Sequence, residues 1–324
     1  MKALKVLVGI VALVVLAAGG FVAYLFTAYP RVGPAEAVTV EATPARIARG
    51  DYLANHVTGC VECHARRDFT KSAGPRIEGT AGQGGDYFGE PGSALELYSP
   101  NITPARLGDW TDGEVIRAFT EGVSKDGTPL FPIMPYLRYG KLAREDVEAI
   151  VAYIRTLPPS DYQPPPSHLG FPLPLVKRTI PTPAAFRPVP PVEDRVAYGE
   201  YLINAAVCGD CHTTMDDQGQ ALPGMDYAGG NEFYIPGGAR VRTANITPDA
   251  DTGIGTWSEA DFIQKFKAYL AEPPRVLTAE EQRENTIMPW YAYAGMTEQD
   301  LGAIYTYLRT IKPVVNRVDT HPKP

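Results

Sequence analysis

The sequence predicts an all-α chain in which an N-terminal membrane-spanning helix is followed by two small, loop-rich helical domains in tandem. Three observations carry this expectation: a long uncharged stretch at the N-terminus, a second half that restates the first in order, and apolar residues at helical spacing with no competing strand-like alternation. The length of 324 residues accommodates two domains of ordinary size. Charge is modestly acidic, 30 Lys and Arg against 37 Asp and Glu, with no basic block, so nucleic acid is set aside as a partner.

The anchor comes first. Between Lys5 and Arg31 lie 25 residues without a charge, more than the roughly 20 a helix needs to cross a bilayer. Lys2 and Lys5 on the short side predict a cytoplasmic N-terminus and an exported remainder. A cleaved signal peptide is the rival reading, but its apolar core normally runs to about 7 to 15 residues. Here residues 21–29 stay uncharged and largely apolar after the small residues 17–20, so 1–30 is expected to be a retained anchor.

The repeats follow. R-G-D-Y-L (49–53) is matched by Y-G-E-Y-L (198–202), G-G-D-Y-F-G-E-P-G (84–92) by G-G-N-E-F-Y-I-P-G (229–237), and N-I-T-P recurs at 101 and 245. D-W-T-D-G-E (109–114) is matched by T-W-S-E-A-D (256–261), and the halves close on A-Y-I-R-T-L (152–157) and T-Y-L-R-T-I (306–311). These matches place domains at 46–159 and 192–313, with a tail at 314–324. Residues 158–191 hold twelve prolines, so 160–191 is expected to be an extended connector. Whether it stands free or lies along a domain, anchored by Phe171, Leu173, Leu175 and Val176, is open from sequence.

Within each half, Thr111 with Glu114 and Ser258 with Asp261 read as capping boxes that start a helix. Val147, Ile150, Val151 and Ile154 in one half, and Leu301, Ile304, Tyr305 and Leu308 in the other, define a terminal amphipathic helix. Gly50 beside Tyr52, and Gly199 beside Tyr201, are placed to let a first helix approach that terminal helix near Tyr153 and Tyr307. Domains of this size are short of core unless something large and apolar fills their centre.

All four cysteines sit in two five-residue patterns, C-V-E-C-H (60–64) and C-G-D-C-H (208–212). C-x-x-C-H is the haem c attachment pattern: two thiols three positions apart add across the vinyl groups of one porphyrin edge, and the adjacent His lies beneath the iron. Zinc would need further Cys or His near each pair, and only His56, His168 and His321 remain. A redox pair or a disulfide leaves the His after both copies unexplained. The expectation is two covalently bound haem c groups, one on Cys60 and Cys63 and one on Cys208 and Cys211, with His64 and His212 as iron ligands.

The opposite ligand is expected from Met134 and Met288, which recur in I-M-P-Y (133–136) and I-M-P-W (287–290), whereas Met215, Met225 and Met296 do not recur. A buried Met is commonly a gap filler, yet the following proline biases each of these toward an extended loop. A His/Met pair favours Fe(II) and fills the sixth position, so no catalytic residue is expected. His56, His168 and His321 read as surface residues. Trp110, Trp257, Asn101, Asn245, Tyr136 and Trp290 recur around the ligands, as haem contacts or as ordinary packing.

On C-x-x-C-H, G-G, N-I-T-P, the Trp before an acidic helix start and M-P-[YW], each half resembles a class I cytochrome c. The chain from 46 to 312 resembles the multihaem cytochrome c subunits of membrane-bound bacterial alcohol, aldehyde and gluconate dehydrogenases. That resemblance implies electron transfer from a periplasmic dehydrogenase subunit to ubiquinone or another redox carrier. It also implies a place on the bacterial inner membrane, with the haem domains in the periplasm. Familiar members carry three haems, whereas this chain has patterns for two. Residues 271–286 also depart, being longer and more charged than their counterpart; they read as a solvated insertion, with a partner-facing loop as the alternative. Two other functions are carried forward, a dihaem peroxidase with a displaceable ligand and a haem subunit of a terminal oxidase or other respiratory complex.

Overall fold

The computed structural model describes residues 1–216 and 219–322. Residues 217 and 218, in the expected second domain, and 323 and 324, at the end of the expected tail, lie outside the described residues. Helix α1 (Lys2–Ala28) is exposed along its length, with Leu25 its buried residue. At 1.5 Å per residue it is about 40 Å long, and among the described residues it is the one helix long and apolar enough to cross a membrane.

Two similar series of elements follow. The first runs α2 (Pro44–Tyr52), prolonged by a π-helical turn at Leu53–Val57, then α3 (Cys60–Cys63), β1 (Tyr87–Gly89), β2 (Leu95–Tyr98), α4 (Pro104–Leu107), α5 (Asp112–Glu121), α6 (Tyr136–Tyr139) and α7 (Arg144–Ile154). The connector holds β3 (His168–Leu169), α8 (Leu173–Val176) and a 3-10 turn at Lys177–Thr179. The second series runs α9 (Arg195–Ala205), α10 (Cys208–His212), β4 (Glu232–Ile235), β5 (Ala239–Arg242), α11 (Glu259–Ala271), a 3-10 turn at Glu281–Glu284, α12 (Trp290–Tyr293) and α13 (Glu298–Leu308).

Both expected capping boxes form: the Thr111 and Ser258 hydroxyls accept from the N–H groups of Glu114 and Asp261, whose carboxylates accept from the cap N–H in return. The terminal helices bury Val147, Ile150, Val151 and Ile154, and Leu301, Ile304 and Leu308, while Tyr305 is half-buried. Each packs on the first helix of its half through a glycine. A Cβ on Gly50 would lie 1.8 Å from the Ala149 carbonyl oxygen, and one on Gly199 would lie 2.0 Å from that of Ala303, so no side chain fits at either crossing.

One expectation is corrected and two readings are sharpened. The strands qualify the all-α reading: β1 pairs antiparallel with β2 and β4 with β5, in the glycine-rich stretches that read as loops. With strands of three or four residues, alternation is too short to register. The connector does not stand free. β3 pairs with β2, Ala185 N–H donates to the Gly140 carbonyl (2.7 Å), and Arg66 stacks over Tyr162 at 4.5 Å. Residues 271–286 are largely exposed, as a solvated insertion would be, but are pinned to the first half at Leu277 and Asn285. Leu277 N–H donates to Thr70 O (2.9 Å), Ser72 N–H to Arg275 O (3.0 Å), and buried Asn285 bonds Phe69, Lys71 and Ala73 of the first half.

The halves meet through reciprocal contacts. Asp146, at the start of α7, accepts from Arg49 of its own half (2.9 Å) and from the Tyr201 hydroxyl of the other (2.6 Å). Asp300, at the matching place on α13, accepts from Tyr198 (3.0 Å) and from Tyr52 of the first half. The Arg138 carbonyl accepts from Asn204 (3.1 Å), and the equivalent carbonyl of Ala292 accepts from His56 Nδ1 (3.0 Å). His56 is therefore an interface residue, not a surface one, and His321 is half-buried beside Thr320. His168 is exposed, as expected.

Candidate functional site

The first C-x-x-C-H follows a left-handed residue, Gly59 (φ 65°), which turns the chain out of the π-helical segment and into α3. The second follows Val207 in the same conformation (φ 49°), a position that strains a β-branched side chain.

The double glycine shapes the other side of each site. Gly84 (φ 76°) donates to the His64 carbonyl (2.9 Å) and Gly229 (φ 75°) to that of His212 (2.7 Å). A Cβ on either would fall 2.3 to 2.4 Å from a backbone carbonyl oxygen, of Ser99 or Thr243. This tight turn carries the Pro100 and Ala244 carbonyls to the two imidazoles, where they accept from Nδ1 of His64 and His212, each at 2.8 Å. Since a carbonyl only accepts, Nδ1 carries the hydrogen and the Nε2 lone pair is left for a metal. Burial lowers both histidines below the ordinary imidazole value, which keeps them neutral and able to ligate.

Cys60, Cys63, His64 and Met134 line one cavity of about 560 Å³. Its wall is largely apolar, with Phe88, Leu97, Val115, Phe119, Phe131 and Ile154 among the lining residues, and Arg106 as its cation. Burial pushes the thiols up, Cys60 to about 11 and Cys63, Cys208 and Cys211 to about 12, so all four are neutral at physiological pH. Cys63 retains accessible surface because it opens onto the cavity while lying deep within the fold.

Met134 and Met288 are both half-buried and precede a proline at the centre of an inverse γ-turn, Pro135 (φ −81°, ψ 49°) and Pro289 (φ −79°, ψ 61°). The turn is closed from Tyr136 N–H to Met134 O (2.7 Å) and from Trp290 N–H to Met288 O (2.8 Å). Proline's fixed φ suits that centre, which is the local reason for M-P-aromatic.

The recurring polar residues divide. Trp110 lines the cavity. Asn101 also borders it, but its amide is spent on Thr103, Ser160 and Tyr162, as that of Asn245 is on Thr247, Thr252 and Val314, so both build turns and do not reach a ligand. Tyr136 is buried away from the cavity wall, and Trp290 stacks on Tyr269 (5.1 Å, 1° between planes). Sequence reading missed Tyr139 and Tyr293, each five residues after the site Met. Their hydroxyls donate to Thr58 O and Ala206 O, both at 2.7 Å, just before the first Cys of each pattern. The recurrence of Tyr in M-P-x-x-x-Y was the available signal.

Beside the first pattern, buried Asp86 lies near Arg67 and Glu62; burial outweighs the pull of Arg67 and raises Asp86 to about 7. The folded chain then holds a proton that the unfolded chain has released, so this group costs stability as pH rises from about 4 to 7. The second half has Asn231 at the matching place. Asp86→Asn is expected to flatten the pH dependence of the unfolding midpoint across that window; an unchanged slope between about pH 4 and 7 contradicts it.

Two desolvated neutral thiols, a neutral imidazole with Nε2 free and a thioether around one apolar cavity fit an attached haem c, and the donor set is that of a c-type cytochrome. The comparisons agree. A "Diheme cytochrome c-type" protein of Cereibacter sphaeroides is 31% identical over 270 residues, covering 79% of this chain and 83% of the relative. An "Alcohol dehydrogenase (quinone), cytochrome c subunit" of Komagataeibacter europaeus is 30% identical over 299 residues, 87% of this chain and 59% of the relative. A "Gluconate 2-dehydrogenase cytochrome c subunit" of Pantoea cypripedii is 31% identical over 247 residues, 71% and 52%. No family model matches the chain. It belongs to the c-type cytochromes represented by these proteins. The chain spans little more than half the length of the dehydrogenase subunits it matches.

Proposed function

We propose that the chain is a membrane-anchored dihaem relay that passes electrons between a periplasmic dehydrogenase subunit and a quinone or another redox carrier of the respiratory chain. In this reading 46–159 and 192–313 are two class I cytochrome c-like domains and α1 holds them at the bacterial inner membrane, facing the periplasm. The observation that carries it is the convergence of Cys60, Cys63, His64 and Met134 on one apolar cavity, with Cys208, Cys211, His212 and Met288 at the matching places of the second series.

When bound, haem c supplies reversible one-electron chemistry. The residues do the rest. Cys60, Cys63, Cys208 and Cys211 would hold the group covalently, and His64 and His212 would present Nε2 from rings fixed by Pro100 and Ala244. Met134 and Met288 would offer the thioethers, held by their proline turns. Arg106 would supply countercharge for the carboxylates of the bound group at the first site, and the apolar wall would exclude water, which favours the less charged, reduced state. A dehydrogenase partner is supported by the relatives' names, which describe cytochrome subunits of alcohol and gluconate dehydrogenases. Solubilising the native protein in mild detergent and identifying what accompanies it is the test. A cofactor-bearing dehydrogenase is expected; a lone chain with peroxidase turnover contradicts the relay.

A further inference from the structure

The connector carries a feature that electron transfer does not use. From 162 to 192 it has no Asp or Glu, although the chain has a net charge of −7, and it holds Lys177, Arg178 and Arg187. Phe171 is 83% exposed and Val176 45%, with Leu173 and Leu175 half-exposed beside them. This apolar and basic turn is not remote from α1. The Arg178 guanidinium donates to the carbonyls of Leu25 (3.3 Å), Phe26 (3.4 Å) and Tyr29 (2.8 Å), and lies 4.2 Å from the centre of the Phe26 ring. Those carbonyls are at the end of the apolar run, where Tyr24, Tyr29 and Arg31 cluster, as aromatic and basic residues do where a helix leaves the hydrocarbon. The 3-10 turn at Lys177–Thr179 is thereby held against the end of α1, with Phe171 and Val176 exposed in the residues that lead into it.

We propose that residues 171–180 are a second membrane contact. Phe171 and Val176 enter the boundary between headgroups and acyl chains, and Lys177 engages anionic lipid phosphates while Arg178 caps α1. The inference rests on the reading of α1 as a membrane span. Its consequence runs through the sheet: Gly170 N–H donates to Ala94 O (2.7 Å) and Leu169 pairs with Leu95, on the strand whose Leu97 and Tyr98 line the first cavity. A lipid-seated connector therefore sets the height and tilt of that cavity wall above the bilayer, which a single flexible tether at residue 30 would leave free.

The full-length haem-loaded protein, in nanodiscs of phosphatidylcholine and phosphatidylglycerol, tests this with p-benzoylphenylalanine placed at Phe171 or, as a control, at exposed Val315. Irradiation is expected to give lipid adducts at 171 in roughly tenfold excess over 315. Lys177→Glu in the same chain is expected to lower the yield at 171 in anionic discs. It should leave the yield unchanged in discs of phosphatidylcholine alone. A chain retained in the disc with equal yields at 171 and 315 overturns the inference and leaves the anchor standing; a chain that never enters the disc overturns both.

Discussion

Stripping the first site of its group, by Cys60→Ser with Cys63→Ser followed by acid extraction, is expected to cost the first half its native structure. The cavity there is about 560 Å³, and its wall includes Val115, Phe119, Tyr139, Val151 and Ile154, which belong to the core itself. Empty apolar volume in a core costs about 24 cal/mol per Å³, which gives on the order of 13 kcal/mol as an upper limit, since water can enter from the open side. A whole domain is stable by only about 5 to 15 kcal/mol. The group is thus part of the core, as the shortage of apolar mass in so small a domain requires. Amide exchange read along α5 and α7 is the measurement: protection there is expected to collapse while α13 stays protected by its own site. Native protection in α7 of the stripped chain contradicts the assignment.

The second large effect is on potential. Met134→Leu and Met288→Leu keep volume, so each is expected to fold with less than about 1.5 kcal/mol of loss, yet under the proposed ligation each removes a soft ligand that favours Fe(II). In each variant the sulfur-to-iron charge-transfer band of one haem is expected to vanish. The potential of that haem should fall by on the order of 100 mV, within the roughly 0.8 V that axial ligands command. Titration followed optically and by electron paramagnetic resonance separates the two haems. A variant in which neither band nor potential moves leaves its Met a packing residue.

What could be read in the sequence was whatever the duplication printed twice or a period of helical length made visible. The capping boxes at Thr111 and Ser258, the terminal helices, and the tight crossings at Gly50 and Gly199 all stand where residue chemistry alone put them. The hairpins β1–β2 and β4–β5 were hidden because strands this short carry no usable alternation. The contacts between halves were hidden for a different reason. Tyr52 and Asp300 lie 248 positions apart and Asn285 and Phe69 lie 216 apart, and no local pattern signals which remote carbonyl or carboxylate a polar side chain will meet. That also explains His56, whose partner on Ala292 exists only once the halves are docked. Of the proposed site, the thiols and imidazoles stand out as types at fixed spacing and the thioethers by their recurrence in I-M-P-Y and I-M-P-W, whereas the Pro100 and Ala244 carbonyls that set the imidazole tautomers are backbone atoms and carry no sequence mark.

A dihaem relay requires two covalently attached groups on one chain. The intact mass of the purified chain after denaturation and acid extraction decides it, paired with the absorption of its alkaline pyridine complex. Two haem masses retained on one polypeptide, falling to one when either Cys60 with Cys63 or Cys208 with Cys211 is replaced by serine, is the predicted result. A chain that keeps one haem or none, or that carries a metal ion without porphyrin, contradicts it.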